Sequence, residues 1–72
     1  MMTKKEAIEV ILSDKGSYAT SLNYAVNYCK AALEMEEGTR EFEIQVLYIL
    51  NNISHWRHLL AKEVRTTLRR KS

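Results

Sequence analysis

Two histidines near the C-terminal end, His55 and His58, have a residue type and spacing that suit metal binding. Three positions apart on a helix, both imidazoles lie on one face and can reach a common ion. A catalytic zinc normally takes three protein ligands, but Glu63 points to another side of such a helix and Cys29 belongs to an apolar stripe. We therefore expect no metal site and no cofactor within the chain. A site shared across a dimer axis and a pH-sensing role for the two histidines remain as alternatives.

No pattern in the sequence assembles a catalytic site. Nucleophilic catalysis needs a cysteine or serine beside a base and an orienting group, and the spacing places no such set together. Glycine-rich phosphate loops, paired aspartates and dinucleotide fingerprints are absent from the sequence. A chain of 72 residues also leaves little room for a substrate pocket. We predict that the protein is not an enzyme and has no small-molecule substrate.

Positive charge is concentrated at the C-terminal end of the chain. Residues 54–72 contain six Lys/Arg and one Glu, a net charge of +5, whereas residues 1–53 contain five Lys/Arg and eight Asp/Glu, a net charge of −3. Such a basic segment can follow a phosphate backbone or bind an acidic protein surface. Arg57 and Lys71 add charge near this basic segment. The alternative is a solvated helix end whose positive charge complements the helix dipole. The candidate contacts for nucleic acid or an acidic partner are His55, His58, Lys62, Arg65, Arg69 and Arg70.

An apolar line with steps of three or four residues runs through the C-terminal half and predicts helix. We expect one helix over about residues 40–56, a bend within residues 54–58 and a further helix over about 59–70. Asn51, Asn52 and Ser54 are weak helix formers, but no proline or glycine forces a break, so one unbroken helix is the alternative. The line consists of Phe42, Val46, Ile49, Ile53, Trp56, Leu60, Val64 and Leu68.

The N-terminal half predicts two further helices. Thr3 and Glu6 have the spacing of a capping box that begins the first helix. This helix ends near residue 12, and Gly16 shortly after it can take a positive φ. A second helix runs from about residue 17, capped by Ser17 or by a nearby Thr or Ser, to about residue 37 and ends at Gly38. Thr39 can cap the third helix. The predicted fold is an all-α single domain over residues 1–72, a small bundle of three main helices plus a C-terminal helical segment, with the first helix laid across the hairpin.

The second and third helices each carry apolar residues on a second face. A surface helix of a monomer normally turns a polar face outward, and so small a chain has few elements to cover both sides. We therefore expect a homo-oligomer, or a complex with another protein, although a central helix covered on both sides is the alternative. The predicted interface consists of Tyr24, Tyr28, Met35, Leu47 and Tyr48.

Cysteine usage and hydropathy give an expected compartment. A single cysteine excludes a disulfide within the chain and fits a reducing environment. The longest apolar run, residues 46–50, is too short to span a bilayer, and no signal-peptide core follows the start of the chain. We predict a cytoplasmic protein without a membrane segment.

Three short segments of the C-terminal half are similar to one group of known proteins. The segments Tyr48–Asn52, His55–Arg57 and Ala61–Arg65 resemble the C-terminal half of short helical proteins from bacteriophages and prophages, a group with no established activity. The resemblance implies a phage or mobile-element setting, in which small proteins commonly act by binding a host protein, a defence system or DNA. The predicted function is protein–protein binding, with DNA or RNA binding by the basic segment as the alternative. The sequence does not distinguish protein–protein binding from a role as a structural subunit of a larger assembly.

Overall fold

The computed structural model describes residues 2–70 and contains only helices and turns over that range. The prediction of an all-α fold is therefore confirmed for the described residues. A short 3-10 turn, Lys15–Ser17, follows the first helix. The four α-helices are α1 (Lys4–Ser13), α2 (Ala25–Leu33), α3 (Arg40–Asn51) and α4 (Ala61–Arg69).

The helices form an antiparallel bundle in which α1 and α3 each pack against both α2 and α4. At one end of the bundle, the Lys4 ammonium at the start of α1 lies 2.8 Å from a Glu43 carboxylate oxygen at the start of α3. Lys5 Nζ donates to the carbonyl of Leu33 at the end of α2. Arg69 at the end of α4 lines a groove together with Glu43. The starts of α1 and α3 and the ends of α2 and α4 therefore lie at the same end.

The apolar line through the C-terminal half supplies much of the core. Seven of its eight members are buried, and Leu60 is the exception with 38% of its surface exposed. Trp56 is the largest fully buried side chain. Complete burial of a large apolar side chain contributes about 1.5–3 kcal/mol, so this line accounts for a large share of the favourable free energy of folding.

Side-chain caps begin α1 and α3 as the sequence predicts. Thr3 and Glu6 form the complete capping box, with each side chain accepting a hydrogen bond from the backbone N–H of the other residue. The Thr39 hydroxyl accepts from the Phe42 N–H at 3.2 Å. Each cap satisfies amide groups that the first helical turn leaves without partners, which is typically worth about 1 kcal/mol.

The prediction of a long second helix from about residue 17 is wrong at both ends. Residues 18–24 form turns, α2 begins only at Ala25, and Ser17 does not cap it. The side chains of Ser17 and Thr20 bond locally instead, to the Asp14 carboxylate and to the carbonyl of residue 17. Short hydroxyl side chains that bond to nearby groups in this way compete with helix formation. The Tyr18 hydroxyl also donates to the Leu12 carbonyl and holds the turn against the end of α1.

Three glutamates, Glu34, Glu36 and Glu37, follow the last residue of α2, and we call this segment the acidic tip. The helix ends at Leu33, and the chain reaches Gly38 at φ +92° before α3 begins. Glu36 and Glu37 therefore lie beyond the helix, and Glu34 is its C-cap residue. The positive φ expected at Gly16 is not present, because Gly38 alone has a positive φ among the described residues.

The predicted break between the third helix and the C-terminal helix is present, and it is wider than expected. Helix α3 ends at Asn51 instead of near residue 56, and residues 52–60 are non-helical. The Asn52 side chain donates to the Tyr48 carbonyl at 2.8 Å and satisfies one of the free carbonyls of the last turn. The alternative of one unbroken helix is therefore wrong.

Candidate interaction surfaces

Large apolar side chains are exposed together on the outer side of α2 and α3 and at Tyr24, the residue directly before α2. We call this surface the tyrosine face. The Tyr28 and Tyr48 rings stack across the two helices, with centroids 5.5 Å apart and an interplanar angle of 30°. Gln45 Nε2 donates to the Tyr28 carbonyl at 3.0 Å beside this stack. The tyrosine face consists of Tyr24, Tyr28, Ile44, Leu47 and Tyr48, which expose 71%, 37%, 42%, 60% and 48% of their surfaces.

Two differences separate the tyrosine face from the interface predicted by the sequence. Met35 is half-buried and packs against the core, because it lies beyond the end of α2 and no longer continues the helical stripe. Ile44 is exposed and joins the face. Ile44 lies three residues before Leu47 and four before Tyr48, and this spacing in the sequence indicates that the three side chains share one face of the helix.

The predicted basic contacts separate into exposed and inward-turned residues. Lys62 and Arg69 are exposed on α4, and Arg70 is exposed directly after it. His55 is exposed in the connection between α3 and α4. None of these four side chains forms an ion pair with an acidic residue among residues 2–70. Lys71 lies outside the described residues.

Arg65 is bound within the protein. Its side chain is half-buried, and Nη2 donates to the carbonyls of Ile53 and Trp56 at 2.7 and 2.5 Å. Both carbonyls belong to the break after α3, and the Ile53 carbonyl also accepts from the Trp56 N–H at 3.1 Å. Hydrogen bonds from a charged donor are stronger than neutral ones, so Arg65 holds the break against α4.

His58 also contributes to this local structure. Its ring stacks on Trp56 with centroids 5.2 Å apart, and its Nδ1 accepts from the Leu60 N–H at 3.0 Å. In residues 2–70, no three His, Cys, Asp or Glu side chains come close enough to share a metal ion.

Trp56 connects the break to the turn after α1. Its indole Nε1 donates to Asp14 Oδ2 at 2.8 Å, and the Ser17 hydroxyl donates to the same oxygen at 2.9 Å. These two hydrogen bonds, with a smaller contribution from the charge of His58, hold the pKa of Asp14 below its ordinary value. The carboxylate therefore anchors a buried tryptophan whose indole nitrogen requires an acceptor.

Cys29 lies in the core and has none of the features of a nucleophile. The side chain is fully buried, and burial raises the pKa of its thiol to about 12. The thiolate is the reactive form of cysteine, so almost none is present at neutral pH.

A groove of about 250 Å³ lies between α3 and the last turn of α4. We call it the α3–α4 groove. Four aliphatic side chains line it, and charged residues stand at its rim. The lining residues are Val46, Leu47, Leu50 and Leu68, with Glu43, Arg69 and Arg70 at the rim.

Two further findings concern the described chain as a whole. Across residues 2–70, no helix combines the length and the apolar character needed to cross a bilayer. Comparison with protein-family models, with curated proteins and with solved structures finds no significant match.

Proposed function

We propose that this protein is a non-enzymatic binding protein that forms a homodimer through its tyrosine face. One observation carries the proposal: four large apolar side chains on α2 and α3 are exposed together with Tyr24, which directly precedes α2, and a tyrosine stack joins the two helices. Contiguous exposed apolar patches mark interaction sites in small proteins. Tyrosine in particular is enriched at interfaces, because its ring buries a large area while its hydroxyl stays hydrated.

A second copy is the partner that the tyrosine face suits best. The face lies on one side of two antiparallel helices, so a two-fold axis can place it against itself. A standard interface buries about 800 Å² per partner, which is roughly a sixth of the 4924 Å² surface of this chain. Small domains gain the most from such burial, because a core of this size supplies only about 3–5 kcal/mol of net stability.

Light scattering over a range of concentrations tests the homodimer. We expect twice the chain mass at micromolar concentration for the natural sequence and the mass of one chain for Ile44→Glu, which places a charge in the tyrosine face. The matched control is Leu59→Glu, because Leu59 is 97% exposed and lies outside that face. The control should remain dimeric. A monomer at high micromolar concentration of the natural sequence would refute the proposal.

The second candidate function is nucleic-acid binding by α4. Lys62 and Arg69 support it, because both are exposed on the same side of the helix and lack an acidic partner among the described residues. Mobility shifts with random duplex and single strands at low salt test this function. If it holds, Lys62→Gln with Arg69→Gln weakens binding and lowers its salt dependence, whereas Lys30→Gln on the exposed side of α2 does not. The phage or mobile-element setting stays a prediction.

A further inference from the structure

The floor of the α3–α4 groove consists of side chains that belong to the core. Val46 and Leu68 are each only 2% exposed, and Leu50 is half-buried and packs against the core cluster. A ligand in this groove would therefore contact side chains that are already fixed by packing, and little ordering would be needed on the protein side. The volume of about 250 Å³ is below the roughly 300–1,000 Å³ of pockets that enclose small-molecule ligands. The dimensions suit one or two apolar side chains of another polypeptide.

The rim gives this apolar floor a positive border. Glu43 is the acidic member of the rim, and its carboxylate already lies 2.8 Å from the Lys4 ammonium, which is almost fully buried. Arg69 and Arg70 are exposed and form no ion pair within residues 2–70. Arg70 makes one long contact, from Nη2 to the Thr67 hydroxyl at 3.4 Å, which leaves its other donors available. A guanidinium can bind a carboxylate through two parallel hydrogen bonds.

From these two features we infer that the α3–α4 groove binds an acidic amphipathic helix of a protein partner. Leucine-like side chains of that helix occupy the groove, and Asp or Glu residues beside them pair with Arg69 and Arg70. Helix-in-groove recognition of this kind uses apolar anchors three or four residues apart. The site is separate from the tyrosine face except at Leu47, which both surfaces contain.

Nucleic acid and a second copy of this chain, the other two possible occupants, fit the groove less well. Nucleic acid would use the arginines and leave the aliphatic floor exposed. A second copy can offer the acidic tip at Glu34, Glu36 and Glu37, but Met35, the apolar residue within that tip, is half-buried against its own core. The groove needs carboxylates and an exposed apolar anchor together, and a separate acidic helix provides both.

Selection from a displayed library of random 16-residue peptides tests this inference. The target is the full chain carrying Ile44→Glu, so that dimerisation does not affect the outcome. We expect enriched peptides with apolar residues at helical spacing and with adjacent Asp or Glu. A synthetic, fluorescein-labelled copy of the most enriched peptide then serves as the probe for fluorescence anisotropy.

Charge reversal locates the binding site of that peptide. Arg69→Glu with Arg70→Glu should weaken binding more than tenfold, and Arg69→Gln with Arg70→Gln should weaken it less. Lys62→Glu, on the same helix and outside the groove, should change it less than twofold. Circular dichroism confirms that each variant keeps its helices, which is expected because all three side chains are exposed.

Three results would overturn the inference. The first is enrichment of peptides without acidic residues, or no enrichment at all. The second is equal binding by the natural and the charge-reversed rim. The third is a loss of self-association or of duplex DNA binding on reversal of the rim without any effect on the peptide, which would assign the arginines to a second copy or to nucleic acid. The light-scattering comparison of Ile44→Glu with Leu59→Glu uses residues outside the groove, so it tests the homodimer independently of the peptide selection.

Discussion

Replacement of Arg65 by methionine tests whether this residue supports the fold or a ligand. The substitution keeps most of the aliphatic length and removes the guanidinium that donates to the Ile53 and Trp56 carbonyls. Both carbonyls then lack this donor beside two side chains that are fully buried. Hydrogen bonds to charged groups are worth about 1.5–3 kcal/mol each, and water can partly replace them at a half-buried site. We expect a loss of about 2–4 kcal/mol in the free energy of unfolding.

Urea unfolding followed by tryptophan fluorescence measures this loss. Trp56 is the only tryptophan, and its carbonyl accepts one of the hydrogen bonds that the substitution removes. At about 4–8 °C per kcal/mol for a domain of this size, the thermal midpoint should also fall by about 10 °C or more. The matched control is Lys62→Met on the exposed side of α4, which should stay within about 0.5 kcal/mol. Equal stability of the two variants would refute the structural role of Arg65. A specific loss of nucleic-acid binding in a stable Arg65→Met variant would return Arg65 to the candidate contacts.

Three further predictions follow from single residues. Gly38→Ala should cost about 1–2 kcal/mol in urea unfolding because of its φ of +92°, whereas Gly16→Ala, at a negative φ, should be neutral or slightly stabilising. Cys29 should react with a chromogenic disulfide reagent only on unfolding, since burial raises its thiol pKa to about 12; rapid reaction of the folded protein would contradict this. Asp14 has a lower pKa folded than unfolded, so its contribution is complete above the unfolded value and is lost as the pH falls through the folded value. Asp14→Asn should therefore reduce the loss of stability seen by urea unfolding below about pH 4.

Local patterns predict those parts of this fold that depend on neighbouring residues. The Thr3 and Thr39 caps follow from residue type and spacing over three positions, and both are present. Helical periodicity predicts the apolar line of the C-terminal half, and the predicted burial extends to Ile53 and Trp56 in the break after α3. It does so because Ile53 and Trp56 reach the core from a non-helical backbone. Burial is therefore predicted better than backbone conformation in this region.

Side-chain bonds between distant parts of the chain explain what sequence patterns miss. The turn before α2 depends on contacts of Ser17 with Asp14 and of Asp14 with Trp56, which is 42 positions away. Arg65 has the position and charge of a member of the basic stripe, but its carbonyl partners become available only because α3 ends early. A charge pattern on one helix cannot show which arginine meets a backbone carbonyl elsewhere in the fold.

Helix α3 connects the two proposed binding surfaces, because Leu47 is part of both and is 60% exposed. A second copy that covers Leu47 narrows the groove, and a peptide that covers Leu47 removes part of the dimer face. The two binding events should therefore oppose each other, and linkage requires that each weaken the other by the same factor. We expect the selected peptide to bind the Ile44→Glu monomer more tightly than the natural dimer and to shift the natural protein towards one chain per particle in light scattering. Peptide binding that leaves the dimer mass unchanged at saturation would show that the two surfaces do not share Leu47 in solution.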